Sequence, residues 1–95
     1  MGFLDRFRRK QEDESSRLAR LSRTGRIVEG EILDIVVDVA GNITQVFYSY
    51  SIGGVAYHSS QTLDAEQQHR KADYSPASRV TIRYDPRQPA NSIVV

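Results

Sequence analysis

Hydrophobic and polar residues alternate in two adjacent runs near the middle of the chain, residues 46–52 and 55–60, which are separated by two glycines. Such alternation is typical of β-strands that bury one face. Two consecutive glycines can both adopt the positive φ angles of a type I′ turn without steric penalty. The pattern therefore predicts a β-hairpin in which Tyr50 lies opposite Tyr57.

Another alternating run begins at Arg26 and changes phase partway along. Val28 and Ile32 fall on one face, whereas Leu33 and Ile35 carry the apolar positions after them. One extra residue in a strand shifts its inward-facing set by one position. The slip predicts a β-bulge near Ile32 and Leu33, with Leu33 facing the interior.

The turn after this strand is predicted at Gly41 and Asn42, a pair suited to a two-residue hairpin loop. This loop places Ile35 opposite Tyr48, and the apolar positions of both strands then share one face. Agreement between a turn and the pattern on either side of it favours the register.

The alternation is lost over residues 61–78. Within this stretch Asp64 precedes Gln67 by three positions, which is a capping-box pattern at the start of a helix. We therefore expect a short helix over residues 65–72.

Alternation resumes over residues 79–84, with Val80 and Ile82 facing inward. An Asp-Pro turn follows, which is ordinary turn chemistry. Pro89 then delays the next element, so the last strand is expected to be short and to cover residues 92–95.

The elements together predict an all-β fold, a small antiparallel meander of about five strands curled into a partly open barrel. Residues 26–95 form this domain, which is a single unit because the chain is only 95 residues long. The side chains expected to share its interior are Leu33, Ile35, Tyr48, Tyr50, Tyr57, Val80 and Ile82.

Residues 1–25 form a basic leader, either an amphipathic helix or a flexible tail. Residues 1–26 carry eight basic and four acidic side chains, whereas residues 27–95 carry five basic and eight acidic ones. An apolar face beside basic groups is typical of a short interfacial anchor. The alternatives are docking of the leader onto its own or a partner's sheet, and a disordered tail. The candidate contact residues for a membrane or a partner are Phe3, Leu4, Arg6, Phe7, Arg8, Arg9 and Lys10.

Residues that carry enzyme chemistry are sparse. Cysteine is absent, which removes disulfides and thiolate sites and fits a cytosolic protein. His58 and His69 are too few and too poorly spaced for a metal site, and they are expected on the surface. Ser59 and Ser60 lie near His58, but sequence proximity does not define a catalytic triad. We therefore predict no catalytic, cofactor-binding or metal-binding residue, and no enzyme.

Three stretches of the chain resemble a widespread bacterial domain family of unknown function whose members are small β-domains, commonly joined to transmembrane helices. They are residues 25–32 (Gly-Arg-Ile-Val-Glu-Gly-Glu-Ile), the positions Val46, Tyr48, Tyr50, Ile52, Gly54 and Tyr57, and the closing positions Val80, Ile82, Tyr84, Asp85, Pro86 and Pro89. The resemblance covers about residues 25–95 and implies the same fold, with no catalytic residues to transfer. The chain differs from the family in lacking a membrane helix and in carrying a polar insertion at residues 64–73.

The leading functional hypothesis is a non-enzymatic interaction module that acts through an open sheet edge and the leader. An exposed edge offers unpaired N–H and C=O groups to a partner strand. The partner is another protein or a second copy of the chain. One alternative is an accessory protein in the cytoplasm that the leader holds at an anionic surface of the inner membrane. A second is a small-barrel nucleic-acid binder, against which the acidic body argues.

Overall fold

A computed structural model describes residues 13–95, so the candidate contact residues between Phe3 and Lys10 lie outside the described part of the chain. The elements in chain order are helix α1 (Glu14–Thr24), strands β1 (Arg26–Val37), β2 (Ile43–Ile52) and β3 (Val55–Gln61), helix α2 (Ala65–Gln68), a 3₁₀ turn (Lys71–Tyr74), and strands β4 (Arg79–Asp85) and β5 (Gln88–Val94).

The five strands form one antiparallel sheet in the order β3-β2-β1-β4-β5. The sheet curls into a nearly closed, barrel-like form, which confirms the predicted fold class. Its interior is a single core that includes Ile32, Tyr48, Val80 and Ile82. Ile35 and Tyr57 are half-buried and pack against this core.

The hairpin between β2 and β3 has the predicted register. Gly53 and Gly54 occupy the turn with φ angles of 57° and 83°. Tyr50 lies opposite Tyr57, and the two rings are stacked with their centroids 5.5 Å apart. Local turn chemistry and strand alternation agree here, so the sequence alone was sufficient.

The β-bulge in β1 is confirmed, but the predicted direction of Leu33 is wrong. The register with β2 shifts between Ile32 and Asp34, so Leu33 is the extra residue of the bulge. Ile32 lies opposite Tyr48 and is fully buried, whereas Leu33 is 46% exposed. Because a bulge leaves its extra residue unpaired, the interior position stays with Ile32 before it and Ile35 after it.

The two-residue loop predicted at Gly41 and Asn42 is also wrong. The Asp38 carboxylate accepts hydrogen bonds from the backbone N–H groups of Ala40 and Asn42, both at 2.9 Å. These bonds hold residues 38–42 as a wider loop. Ile35 consequently lies opposite Val46 and not Tyr48.

Helix α2 begins as predicted but ends early. Asp64 and Gln67 form the expected capping box, with each side chain bonded to the other's backbone N–H. The N–H of Arg70 then bonds to the carbonyl of Gln67 at 2.9 Å, three residues back rather than four. This tightening ends the α-helix, and the 3₁₀ turn that follows carries Tyr74 into the core.

The last strand is longer than predicted, because Pro89 lies inside β5 and does not delay it. A proline lacks the N–H that an interior strand would need, but β5 is at one end of the strand order and, within residues 13–95, pairs only with β4. The Pro89 carbonyl accepts a hydrogen bond from the Tyr50 hydroxyl at 2.6 Å. Edge position thus makes the proline acceptable.

Candidate functional site

The two terminal strands of the sheet, β3 and β5, approach each other around the barrel. Gln61 at the end of β3 takes the place of a strand there, because its amide bonds to both backbone groups of Val94. Gln67 also donates to the Val94 carbonyl, at 3.1 Å. Side chains therefore bridge the two strands at Val94, whereas within residues 13–95 no strand pairs with the outer side of β3 over residues 55–60.

Helix α1, the second half of the predicted leader, packs on β4 and β5. Its Leu21 is fully buried. One guanidinium nitrogen of Arg17 donates to the Asn91 side chain and to the Ser92 carbonyl, both at 2.9 Å. Arg20 forms an ion pair with Asp85 at 3.3 Å. Two of the leader's basic residues thus serve to hold the helix on the barrel.

A further unpaired strand side lies on β1. Strand β4 pairs with β1 only as far as Glu31. One residue further, the N–H and C=O of Ile32 bond to Ser78 and Ala77, at 2.9 and 2.8 Å. Beyond Ile32, none of the strands in the described part of the chain pairs with β1 on the side away from β2. We call residues 33–37 the free β1 edge.

Apolar side chains cluster at this edge. The exposed side chains belong to β1 and the adjoining loop, whereas Val46 and Ile43 of β2, opposite Ile35 and Val37, remain buried in the core. The exposed fractions are 46% for Leu33, 47% for Val36, 49% for Val37 and 109% for Val39 in the adjoining loop. Unpaired edge strands with exposed apolar side chains are the surfaces to which another strand adds.

A carboxylate lies at the centre of the free β1 edge. The N–H of Ile35 donates to the side chain of its neighbour Asp34 at 2.8 Å. That donor is therefore bonded within its own strand and not to a neighbouring strand. From the neighbouring strand β2, the Thr44 hydroxyl donates to the Val36 carbonyl at 3.2 Å.

The two faces of the edge differ in character. Ile35 lies opposite the buried Val46, so it belongs to the inner face, and Val37 follows it there. Asp34 and Val36 alternate with them and lie on the outer face. Acidic side chains continue along this face of β1, with Glu31 and Glu29 before Asp34.

A surface depression of about 480 Å³ lies beside the inner face, next to the start of β2. It is lined in part by Ile43, which pairs with Val37, and by Leu63. Both are buried at its floor. The depression therefore lies next to the free β1 edge, but these two side chains contribute little accessible surface to it.

Residues 13–95 contain no cluster of metal-binding side chains. No group of three or more histidine, aspartate or glutamate side chains in this part of the chain is placed to hold a metal ion. His58 and His69 are both exposed, as predicted. None of the helices within residues 13–95 is long and apolar enough to cross a membrane.

Sequence reasoning expected an open edge but did not locate it. The available signal was the apolar run Ile35, Val36 and Val37, which breaks the alternation and leaves one apolar side chain on the outer face. The run does not by itself identify the edge. The point at which β4 stops pairing with β1 is set by the tertiary structure and cannot be read from the alternation of β1.

The family model described as a domain of unknown function (DUF3592) matches residues 23–95. No curated protein and no solved structure matches the chain.

Proposed function

We propose that this chain, which belongs to the DUF3592 family of domains of unknown function, is a non-enzymatic interaction module whose free β1 edge binds an extended segment of a partner protein. The observation that carries the proposal is the coincidence, in residues 33–37, of a strand side without a neighbour and exposed apolar side chains. An added strand gains main-chain hydrogen bonds from the first feature and buries the second.

The remainder of the barrel supports this assignment. Gln61 and Gln67 bridge β3 and β5 at Val94, and helix α1 packs on β4 and β5. Natural proteins usually protect exposed edges with charge, a bulge or a covering element. The free β1 edge has a bulge and one carboxylate, Asp34, yet it keeps its exposed valines. That retention of apolar surface favours a partner.

The test compares two single substitutions in the full chain. Val36→Lys places a charge on the free β1 edge, and Val55→Lys places the same charge at the first residue of β3, where the side chain is 53% exposed. The immobilised wild type and both variants are incubated with an extract of the native cell. We expect the captured protein to be retained by Val55→Lys and lost with Val36→Lys.

Both variants are first compared with the wild type by circular dichroism and thermal unfolding, because a difference in capture has meaning only between folded proteins. Equal capture by the wild type and folded Val36→Lys would remove the free β1 edge as the binding surface.

A further inference from the structure

We infer that Asp34 makes the free β1 edge selective for an extended partner segment in which lysine or arginine side chains alternate with apolar ones. The inference rests on the proposed function and names the chemistry of its partner. Asp34 is the specificity-determining residue, because its carboxylate both charges this edge and occupies one of its backbone donors.

The surface around the free β1 edge is acidic by sequence. No lysine or arginine occurs from residue 27 to residue 69, a stretch that includes β1 after its first residue and the whole of β2 and β3. A surface of one sign of charge attracts partners of the other sign. The acidic side chains of β1 and the loop after it are Glu29, Glu31, Asp34 and Asp38.

Two basic side chains from later in the chain approach this surface, but neither forms an ion pair with Asp34. Arg79 bonds to Glu29 at 3.0 Å, and the ammonium group of Lys71 donates to the Gly41 carbonyl at 3.0 Å. Asp34 is exposed and takes part in no ion pair within the described part of the chain. Its charge therefore favours a cation supplied by a partner.

The two faces of the edge match a strand in which basic and apolar residues alternate. Successive side chains of such a strand point to opposite faces. Its basic face meets the outer face of the edge, where Asp34 supplies the charge and Val36 packs against the methylene stems of long basic side chains. Its apolar face meets the inner face, where Val37 is 49% exposed. Opposite charges on neighbouring strands are favourable, whereas like charges are unfavourable.

Asp34 also occupies a backbone donor on the free side of the strand. The Val36 carbonyl faces β2, where it accepts the Thr44 hydroxyl. Because the backbone groups of successive residues in a strand face opposite sides, those of Ile35 face the free side. The Ile35 N–H donates to the Asp34 carboxylate at 2.8 Å, and an added strand needs that donor for one of its own carbonyls.

This hydrogen bond separates basic partners from others. An added strand displaces the Asp34 carboxylate from the Ile35 N–H, and a hydrogen bond to a charged group is lost. A lysine or arginine of the partner then gives the carboxylate a new charge-assisted bond. A partner without a basic group offers no such replacement, so the edge stays masked from it.

The experiment measures the binding of three labelled peptides of about eight residues to the full chain by fluorescence anisotropy. Each peptide alternates valine with a second residue, which is lysine, serine or glutamate. We expect the wild type to bind the lysine peptide at least about tenfold more tightly than the glutamate peptide. This preference is expected to weaken as salt is raised, because the charges are exposed.

Two substitutions separate the charge of Asp34 from its hydrogen bond. Asp34→Asn keeps an oxygen that accepts the Ile35 N–H and is expected to bind the lysine peptide about two- to fivefold more weakly. Asp34→Ala frees the Ile35 donor and is expected to bind the serine peptide more tightly than the wild type does. Glu66→Gln, which removes one exposed carboxylate from α2, is the matched control and is expected to bind like the wild type.

Two further measurements locate the peptide. The amide signal of Ile35 in nuclear magnetic resonance spectra is expected to shift when the lysine peptide is added. Val36→Lys is expected to lose binding of this peptide through like-charge repulsion, whereas Val55→Lys, with the same charge on β3, is expected to retain it.

The inference is contradicted by a wild type that binds the lysine and glutamate peptides equally or binds none of the three. It is contradicted as well when folded Asp34→Asn keeps the full preference for lysine, or when folded Asp34→Ala binds the serine peptide no better than the wild type.

Sedimentation velocity of the free chain distinguishes a different occupant. A dimer that Val36→Lys abolishes assigns the edge to a second copy of the chain and overturns the inference. The proposed function fails separately, when Val36→Lys captures the same cellular protein as the wild type.

Discussion

The side chain of Gln61 hydrogen-bonds to both backbone groups of Val94. The Val94 N–H donates to Gln61 Oε1 at 2.8 Å, and Gln61 Nε2 donates to the Val94 carbonyl at 3.2 Å. An amide side chain has the same donor and acceptor as a peptide group, so one residue replaces a rung of the ladder where β3 and β5 meet.

Replacement of Gln61 by alanine is expected to destabilise the fold by about 2–4 kcal/mol. The Val94 N–H loses its partner at a buried position, and an unsatisfied buried group costs about 1–3 kcal/mol. The cavity left by the side chain adds to this. Urea unfolding followed by circular dichroism measures the change.

Gln45→Ala is the control for that prediction, since Gln45 bonds to Ser60 on the exposed surface of the same sheet. We expect a change within about 0.5 kcal/mol. Equal effects of the two substitutions would contradict the role assigned to Gln61.

Arg17→Ala is expected to loosen helix α1 and to lower the free energy of unfolding by about 1–3 kcal/mol, because bonds to Asn91 and Ser92 are lost together. Hydrogen exchange of the α1 amides locates the effect, which is expected to be larger in α1 than in the strands. Arg23→Ala changes the same residue type at an exposed position of α1 and is expected to leave exchange unchanged.

Gly30→Ala is expected to destabilise the barrel by about 1–3 kcal/mol through overpacking. A Cβ at this position would lie 2.6 Å from the Ser49 carbonyl oxygen and 2.7 Å from Cγ1 of Ile82. Glu31→Ala, one residue along the same strand and exposed, is expected to have little effect. Thermal unfolding of both variants checks the prediction, which fails when they unfold at the same temperature.

The unfolding free energy is expected to fall in acid partly through Asp85. The hydrogen bond from the Arg87 N–H, with a contribution from Arg20, holds the pKa of Asp85 below the usual aspartate value of 3.8. A lowered pKa in the folded state adds stability above the unfolded-state pKa, and this contribution is lost as the pH falls through the folded-state pKa.

Asp85→Asn is therefore expected to show a smaller loss of stability than the wild type below about pH 4. Urea unfolding at a series of pH values measures it. Asp73→Asn makes the same chemical change in the 3₁₀ turn and is the control for Asp85→Asn. Parallel pH curves for Asp85→Asn and the wild type would contradict the role of the folded-state contacts.

Much of the fold was predictable because it depends on neighbours in the chain. The Gly53 and Gly54 turn, the capping box at Asp64 and the bulge at Leu33 each follow from residues a few positions apart. The bulge also shows the limit of such reasoning, since its position was predicted but the outward direction of Leu33 was not.

The candidate site was predictable only in kind. The sequence indicates that a small sheet has an edge and that residues 3–10 combine apolar and basic side chains. It does not indicate that β4 stops pairing at Glu31, which leaves one side of residues 33–37 without a paired strand within residues 13–95. Where one strand ends relative to another is set by the packing of the whole sheet.

By itself, the sequence determined the strand-forming runs, the tight β2–β3 turn and the asymmetry of charge between leader and body, because alternation, glycine conformation and charge are properties of short segments. Only the tertiary structure decided that Gln61 bridges β3 and β5 at Val94, that α1 lies across β4 and β5, and that β1 keeps one free side. Those features join residues far apart in the chain, and their positions depend on how the barrel fills its interior and satisfies its buried polar groups.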